Sequence, residues 1–287
     1  MIKYEQILSI PSEVISQKIL EFIEEDLPKG DYTSGAIFAD SNSVSTAYFQ
    51  AQENLILSGG MLIPHFFTDK CKVEVLKKDG EYIKDGEIFA KVTGPTGLIL
   101  SRERIILNLI QRMSATASMT KRFVVIAEPY GVRILDTRKT TPGLRIFEKY
   151  SVAVGGGQNH RFDLSSGILI KDNHIKAAGS ITNAVNKIKA KNYNLPIEVE
   201  VENFEEITEA LTVGVDGLLL DNMSPEVLIK AMELIRSFDS GNDVFVEASG
   251  GINLENLAEY VKTGVDAIST GAVTHSVKSA NIHLEIE

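Results

Sequence analysis

The chain of 287 residues is 44% hydrophobic, enough to bury one large core or two smaller ones. Its formal charge of −10 argues against general binding to nucleic acid or an anionic membrane, because both need a basic face. A single cysteine, Cys71, rules out an intrachain disulfide, no apolar run reaches the ~18 residues that span a bilayer, and the opening residues carry no signal-peptide pattern, so a cytoplasmic protein is expected.

Residues 5–27 are expected to form a helix, with Ile7, Leu8, Val14, Ile15, Ile19, Leu20, Phe22 and Ile23 as its apolar positions. "KGDYTSGAIF" then supplies turn residues. Between 44 and 100, "STAYFQAQ", "KVEVLKK" and "EIFAKVTG" read as strands. Asp79-Gly80 and Asp85-Gly86 are hairpin signals, and turn chemistry alone accounts for both pairs. "SRERIILNLIQRMSATASMTKRFVVIAE" reads as a helix broken near Ser114.

From about 132 the texture changes to seven apolar runs of strand length: "RILDT", "SVAVG", "GILIK", "IEVEV", "GLLLD", "VFVEAS" and "VDAIST". Helical stretches near 178–191, 203–213, 224–239 and 253–263 fall between the later ones. This alternation predicts a parallel sheet with helices outside it, buried on both faces. Seven strands instead of eight would leave a β/α barrel incomplete or open. Asp136 to Lys139, Lys171, Glu200, Asp221, Ser249 to Gly251 and Gly271 all lie at or just past C-terminal strand ends, the rim where catalytic residues of such barrels collect.

The rim charges divide into two chemistries. Residues 136–176 hold seven Lys/Arg against four Asp/Glu, a local charge of +3 on an acidic chain. Arg138, Lys139, Arg161 and Lys171 could neutralise a planar di- or tri-anionic acid together with a pyrophosphate. His160 alone would most simply be structural; beside Arg161, with Lys171 at a strand end, a ligand role becomes the stronger reading. In "IEVEVE", strand alternation puts Glu198, Glu200 and Glu202 on one face. If the valines face the outer helices, these carboxylates point into the barrel mouth and need cations, a metal or a cationic intermediate; a solvated edge strand is the alternative. Glu200 with Asp221 could stabilise positive charge on a sugar or hold Mg2+. "EASGGIN" and "STGAVTH" are candidate phosphate turns, although purely structural turns would read the same. No Ser/His/Asp nucleophile set and no zinc-ligand spacing stands out.

Together, "LDTRKTTPGLR", "GGGQNHR", "LIKDNHI", "IEVEVEN", "LLLDNMSPE", "EASGGINLENL" and "TGAVTHSVK" closely resemble the quinolinate phosphoribosyltransferase family, the carboxylating nicotinate-nucleotide pyrophosphorylases. "GDYTS", "DGEYIKDGEIFAKVTGP" and "RERIILNLIQRMSATAS" extend the likeness over nearly the whole chain. The resemblance implies an N-terminal α/β sandwich domain over residues 1–115 and a seven-stranded open α/β barrel, of the type II phosphoribosyltransferase kind, over 116–273, with 274–287 packing back on the first domain. It implies a pentosyltransferase that joins quinolinate to phosphoribosyl pyrophosphate, releases pyrophosphate and CO2, and makes nicotinate mononucleotide for NAD synthesis with Mg2+. It also implies a homodimer with shared active sites, leaving a hexamer open.

Carried over by position, Arg104, Arg138, His160, Arg161 and Lys171 would receive the quinolinate carboxylates, with Thr137 also binding substrate and Arg104 reaching across the dimer interface. Lys139 would contact both substrates. Glu200 and Asp221 would face the ribose and its metal, and would be catalytic with Lys139. Ser249, Gly250, Gly251, Thr270, Gly271 and Ala272 would hold the 5′-phosphate. Ala115, Ser34 and Ser166 depart from the family's usual residues without touching this set. The rival readings are a molybdenum-transport accessory homologue of the same fold, a Schiff-base aldolase using Lys139 or Lys171, and an inactive anion-binding module. The intact "LIKDNH" and the retained carboxylates argue against them.

Overall fold

The first helix, α1 (Ser12–Asp26), starts behind Pro11, seven residues later than the apolar spacing predicts. Proline disfavours helical geometry in the residue before it, so the helix cannot extend back through Ile10. In the computed structural model, which describes residues 2–39, 42–67 and 70–287, the chain continues through α2 (Tyr32–Ile37), β1 (Val44–Ala51), β2 (Leu55–Ile56), α3 (Ile63–Phe66), β3 (Lys72–Val75), β4 (Tyr82–Ile83), β5 (Ile88–Pro95) and α4 (Thr96–Ala127). Then follow β6 (Arg133–Leu135), α5 (Arg145–Val154), β7 (Ile168–Ile170), α6 (Asp172–Ala178), α7 (Ile181–Lys189), β8 (Ile197–Val201), α8 (Phe204–Val213), β9 (Gly217–Asp221), α9 (Pro225–Ser237), β10 (Phe245–Ser249), α10 (Leu257–Tyr260), β11 (Ala267–Ser269) and β12 (Ile282–Ile286). None of the helices described is long and apolar enough to cross a membrane.

Two units result. One holds Ile7–Lys121, Thr141–Gly156 and Ser276–Glu287; the other holds the N-terminal residues up to Gln6, Arg122–Thr140 and Gly157–His275. The folded units divide after Lys121 instead of at 115/116, the residues up to Gln6 fall in the barrel unit and 141–156 in the first, and 276–287 belongs to the first unit as expected for the C-terminal segment. Ile2 packs with Leu135, Phe245 and Ala267 in the barrel unit, while Phe147 and Tyr150 of α5 join the core of the first unit.

In the first unit, β12, β1, β5 and β3 form an antiparallel sheet in that order, and β2 pairs with β4. The expected hairpins are absent among the described residues, because each Asp-Gly pair joins strands that belong to different sheets. Both glycines do take positive φ, +93° at Gly80 and +78° at Gly86. Asp79 does more than shape its turn. Its carboxylate accepts from the amides of Gly59 and Gly60 at 2.8 Å each and from the Tyr150 hydroxyl at 2.9 Å.

"KGDYTSGAIF" likewise makes more than a turn, since Asp31 caps α2 by accepting from the Ser34 amide. Helix α4 runs unbroken through Ser114. Its run of small residues serves packing: the Ser114 hydroxyl accepts from the Ser58 amide and the Ser118 hydroxyl from that of Ile56. A Cβ at Gly155 would lie 2.5 Å from the Ala117 carbonyl oxygen, so the end of α5 comes against the same stretch.

The barrel unit carries six parallel strands in the order β6-β11-β10-β9-β8-β7. "SVAVG", expected as a strand, is instead the C-terminal part of α5. A short apolar run fits a buried helix or strand equally well. Here Phe147 and Tyr150 start a buried helical face ahead of it. The seventh strand position is filled by one parallel bridge, Leu135 to Gln158. With β11 paired to β6, the strands follow one another cyclically, and the barrel stays open between Gln158 and β7. The Arg161 guanidinium donates to the Gly167 carbonyl at 2.9 Å across that opening.

Replacing Asp79 with Ala removes three hydrogen bonds and leaves two amides unsatisfied, so a destabilisation of about 3 kcal/mol is expected. Urea unfolding of the variant checks this; an unchanged midpoint would return Asp79 to a simple turn residue.

Candidate active site

A cavity of about 500 Å3 opens at the C-terminal strand ends of the barrel unit. Thr137, Arg138 and Lys139 reach it from the turn after β6, His160 and Arg161 from the segment after Gln158, and Lys171 from the end of β7. Glu200, Asp221 and Ser249 come from β8, β9 and β10, with Gly250 and Gly251 just beyond. Parallel strands open all these side chains on one rim, which is why residues spread over more than a hundred positions converge.

The cationic side is held from below by Asp136. This carboxylate is fully buried and accepts from the Asn159 side-chain amide at 2.7 Å and the His160 backbone amide at 2.9 Å. It thus ties the segment at the seventh position to β6, where little strand pairing exists. Burial and the neighbouring Arg138 charge push the Arg161 guanidinium below its usual range. Two like charges held together this way make a strong site for a carboxylate or phosphate. The Thr137 hydroxyl accepts from the Lys139 amide, and the Thr274 hydroxyl donates to the Lys139 carbonyl, shaping the turn that presents Lys139.

On the anionic side, the Lys171 ammonium is paired with Glu200. The backbone amide of Lys171 donates to His174 Nδ1, so His174 caps α6. Asp221 is pushed above the ordinary carboxylate range, mainly by burial and next by the Glu200 charge. Of the three glutamates expected at the barrel mouth, only Glu200 lies there. Glu202 is exposed beyond the strand, and Glu198 is fully buried below. The two-residue period set the face correctly, but depth separates the three.

The layer below the rim contains charges that sequence reasoning passed over. Glu247, fully buried on β10, borders the cavity floor with Leu169, Leu219 and His160. His160 Nδ1 accepts from the Arg161 amide at 2.8 Å, while Nε2 lies 3.5 Å from Glu198 and 3.6 Å from Glu247. Tyr4 stacks on the His160 ring at 4.5 Å and donates its hydroxyl to Glu198 at 2.7 Å. Burial pushes the Glu247 carboxyl up to about 7, helped by Glu198 and opposed first by His160. Its signal in the sequence was a lone acid inside the apolar run "VFVEAS". Tyr4 had none, because it arrives on an irregular tail.

The expected phosphate residues divide in placement. Ser249, Gly250 and Gly251 line the cavity. Thr270, Gly271 and Ala272 do not border it directly; the Thr270 hydroxyl is spent on the Ile252 carbonyl and the Ala272 amide. Ser269, the first residue of the expected "STGAVTH" turn, and Asn222 also border it. Arg104 belongs to the other unit, where it lines a cavity with Glu25, Asp26, Asn108 and Thr141. Ser166, a departure from the resembled pattern, joins Ser165 in holding Asp163, whose carboxyl falls to about 2 through these hydrogen bonds.

The family model for the C-terminal domain of quinolinate phosphoribosyl transferase matches residues 116–285, and that for the N-terminal domain matches 31–114. The chain is 43% identical to a probable nicotinate-nucleotide pyrophosphorylase [carboxylating] of Bacillus subtilis, over 92% of this chain and 91% of that one. It is 40% identical to the chloroplastic nicotinate-nucleotide pyrophosphorylase [carboxylating] of Arabidopsis thaliana, over 90% and 78% respectively. Among solved structures, the nicotinate-nucleotide pyrophosphorylase of Francisella tularensis aligns with a TM-score of 0.91 at 34% identity, covering 99% of this chain and all of that one.

Gly250 has φ of +98°, and an added Cβ would fall 2.2 Å from Asn222 Oδ1 and 2.7 Å from the Asn222 amide nitrogen. Gly251, at φ of +63°, has open space around it. Gly250→Ala should therefore destabilise by about 2–4 kcal/mol, from left-handed strain plus overpacking, and Gly251→Ala by only about 1 kcal/mol. Equal shifts in the urea midpoints would refute the contact with Asn222 as the cause.

Proposed function

The chain belongs to the quinolinate phosphoribosyl transferase family, and from that premise we propose that it transfers the phosphoribosyl group of phosphoribosyl pyrophosphate to quinolinate, releasing pyrophosphate and CO2 and forming nicotinate mononucleotide in NAD biosynthesis. The observation that carries this reading is the division of charge around one cavity: Arg138, Lys139 and Arg161 on the segments after β6 and Gln158, and Glu200 and Asp221 on β8 and β9.

Arg138 and Arg161 receive the carboxylates of the planar acid, each guanidinium offering a two-pronged donor set. His160 supports this arrangement through the Arg161 amide that it accepts from. Lys139, on an exposed turn beside the arginines, contacts both substrates as a point charge. Lys171 does the same for the acid while neutralising Glu200. The amides around Ser249–Gly251 receive the 5′-phosphate, with those of Thr270–Ala272 just past the end of the next strand. As the bond from ribose to pyrophosphate lengthens, positive charge grows on the sugar, and Glu200 and Asp221 stabilise it.

Glu200 and Asp221 are hard oxygen donors on adjacent strands that border one cavity, and the Glu200 charge raises Asp221 although Lys171 opposes it, so the pair would suit Mg2+, directly or through the pyrophosphate substrate. Mg2+ held there would supply charge neutralisation for pyrophosphate. The working unit is a homodimer in which Arg104 of the partner subunit completes the carboxylate site, and higher assembly to a hexamer is compatible with it. The single cysteine supports a reducing, cytoplasmic setting.

Incubation with quinolinate, phosphoribosyl pyrophosphate and Mg2+ should yield nicotinate mononucleotide, with nicotinate in place of quinolinate giving none; the reverse outcome overturns the substrate assignment. Glu200→Ala and Asp221→Ala should each lower kcat by roughly 10²-fold or more with little change in KM, since the charge they face exists chiefly in the transition state. A rise in KM alone would make them ground-state contacts. Arg104→Ala and Lys139→Ala homodimers should both be nearly inactive, and subunit exchange between them should restore about a quarter of wild-type activity, because half the dimers are then hybrids with one intact site. Hybrids that form and stay inactive would remove Arg104 from the partner's site.

A further inference from the structure

The reading above leaves one requirement without a donor. When CO2 leaves the pyridine ring, its carbon must receive a proton, and the rim offers mainly cations already committed to anions. Below the rim, Glu247 is fully buried, borders the cavity floor, and has both carboxyl oxygens without a hydrogen-bond partner. It sits two residues before Ser249 on β10, so its side chain projects to the same inward face roughly 7 Å lower. We propose, on the basis of the reaction above, that Glu247 is the acid that delivers this proton to C2 of the ring. The bond between C2 and its carboxylate breaks, and the electron pair stays on C2 beside the positively charged ring nitrogen. The Glu247 proton bonds to C2 as that bond breaks, so that CO2 release depends on its delivery, and Glu247, left as carboxylate, is reprotonated from solvent.

Three features of the floor support the role. Leu219 pairs beside Glu247 and Leu169 lines the same cavity, an apolar contribution that favours the neutral carboxyl. The charged and titratable groups that face it are Glu198 on β8, Arg133 on β6 and His160; Ser269 of β11 lies within reach as well, and Tyr4 holds Glu198. Glu198 and burial keep the proton on, opposed by Arg133 and by His160 whenever its ring is protonated.

The same residues, His160, Glu198 and Glu247, bring ligand atoms within 4.8 Å of one another, as a metal site would. The histidine argues against a metal. Its Nδ1 accepts an amide hydrogen from Arg161, so Nε2 carries the ring proton and cannot offer a lone pair to an ion. The cluster holds protons instead.

The test separates the two chemical steps in single turnovers with quinolinate carrying labelled carbon in its C2 carboxylate. Wild type should release pyrophosphate and labelled CO2 together. Glu247→Gln keeps size and polarity without an acidic proton. It should release pyrophosphate within a few-fold of wild type while CO2 release slows on the order of 10²-fold, so that the phosphoribosylated dicarboxylate accumulates. Glu247→Asp should recover part of the CO2 step. In wild type the CO2 step should fall as pH rises through neutrality, because the acid form is lost, and Glu247→Gln should lack that limb. CO2 keeping pace with pyrophosphate in Glu247→Gln, or both steps slowing equally, overturns the assignment. A wild-type CO2 step that is flat across neutral pH does the same without any variant. Wild type that releases no pyrophosphate from these substrates would instead defeat the underlying reaction.

Discussion

Depth along the inward face of the barrel strands is the constraint on which the site depends. Residues i and i+2 of a strand share a face, so Glu198 and Glu200 on β8, and Glu247 and Ser249 on β10, form two stacked layers. In the upper layer Glu200 is paired with Lys171 at the cavity. The lower layer is buried, and its carboxylates face the Tyr4 hydroxyl and the His160 imidazole. One chemical type thereby takes two roles, set only by its distance from water.

The open side of the barrel is a second consequence. A full seventh strand would hold His160 and Arg161 through sheet hydrogen bonds. Here a single bridge at Gln158 remains, and the buried Asp136 takes over by accepting from Asn159 and from the His160 amide. Arg161 in turn reaches the Gly167 carbonyl over the gap. Positioning by side chains leaves the cationic segment free of the twist that strand pairing would impose, so the guanidinium of Arg161 lies beside that of Arg138 despite the repulsion between them.

Much of the rim was legible in advance. Strand-length apolar runs ended in polar residues, and Arg138, Lys139, Arg161, Lys171, Glu200, Asp221 and Ser249 do border one cavity. What failed was local identity where periodicity is short. "SVAVG" has too few residues to display a period of its own, and the preceding Phe147 and Tyr150 draw it into α5. Ser114 looked like a break because small polar residues favour turns, yet its hydroxyl is satisfied by Ser58 and the helix continues. Asp79 looked like a turn residue because nothing nearby in the chain announces the amides of Gly59 and Gly60.

The sequence by itself determined which residues face inward and which end of each strand they occupy, because both follow from a two-residue period and from the order of strand and helix. Only the tertiary structure decided how deep each one lies and what it touches. Tyr4 comes from the N-terminal tail to stack on His160, and Glu198 receives its hydroxyl from 194 positions away. Burial and long-range hydrogen bonds of this kind depend on the closing of the barrel, so no local pattern encodes them, and they are what set the charge of the lower layer.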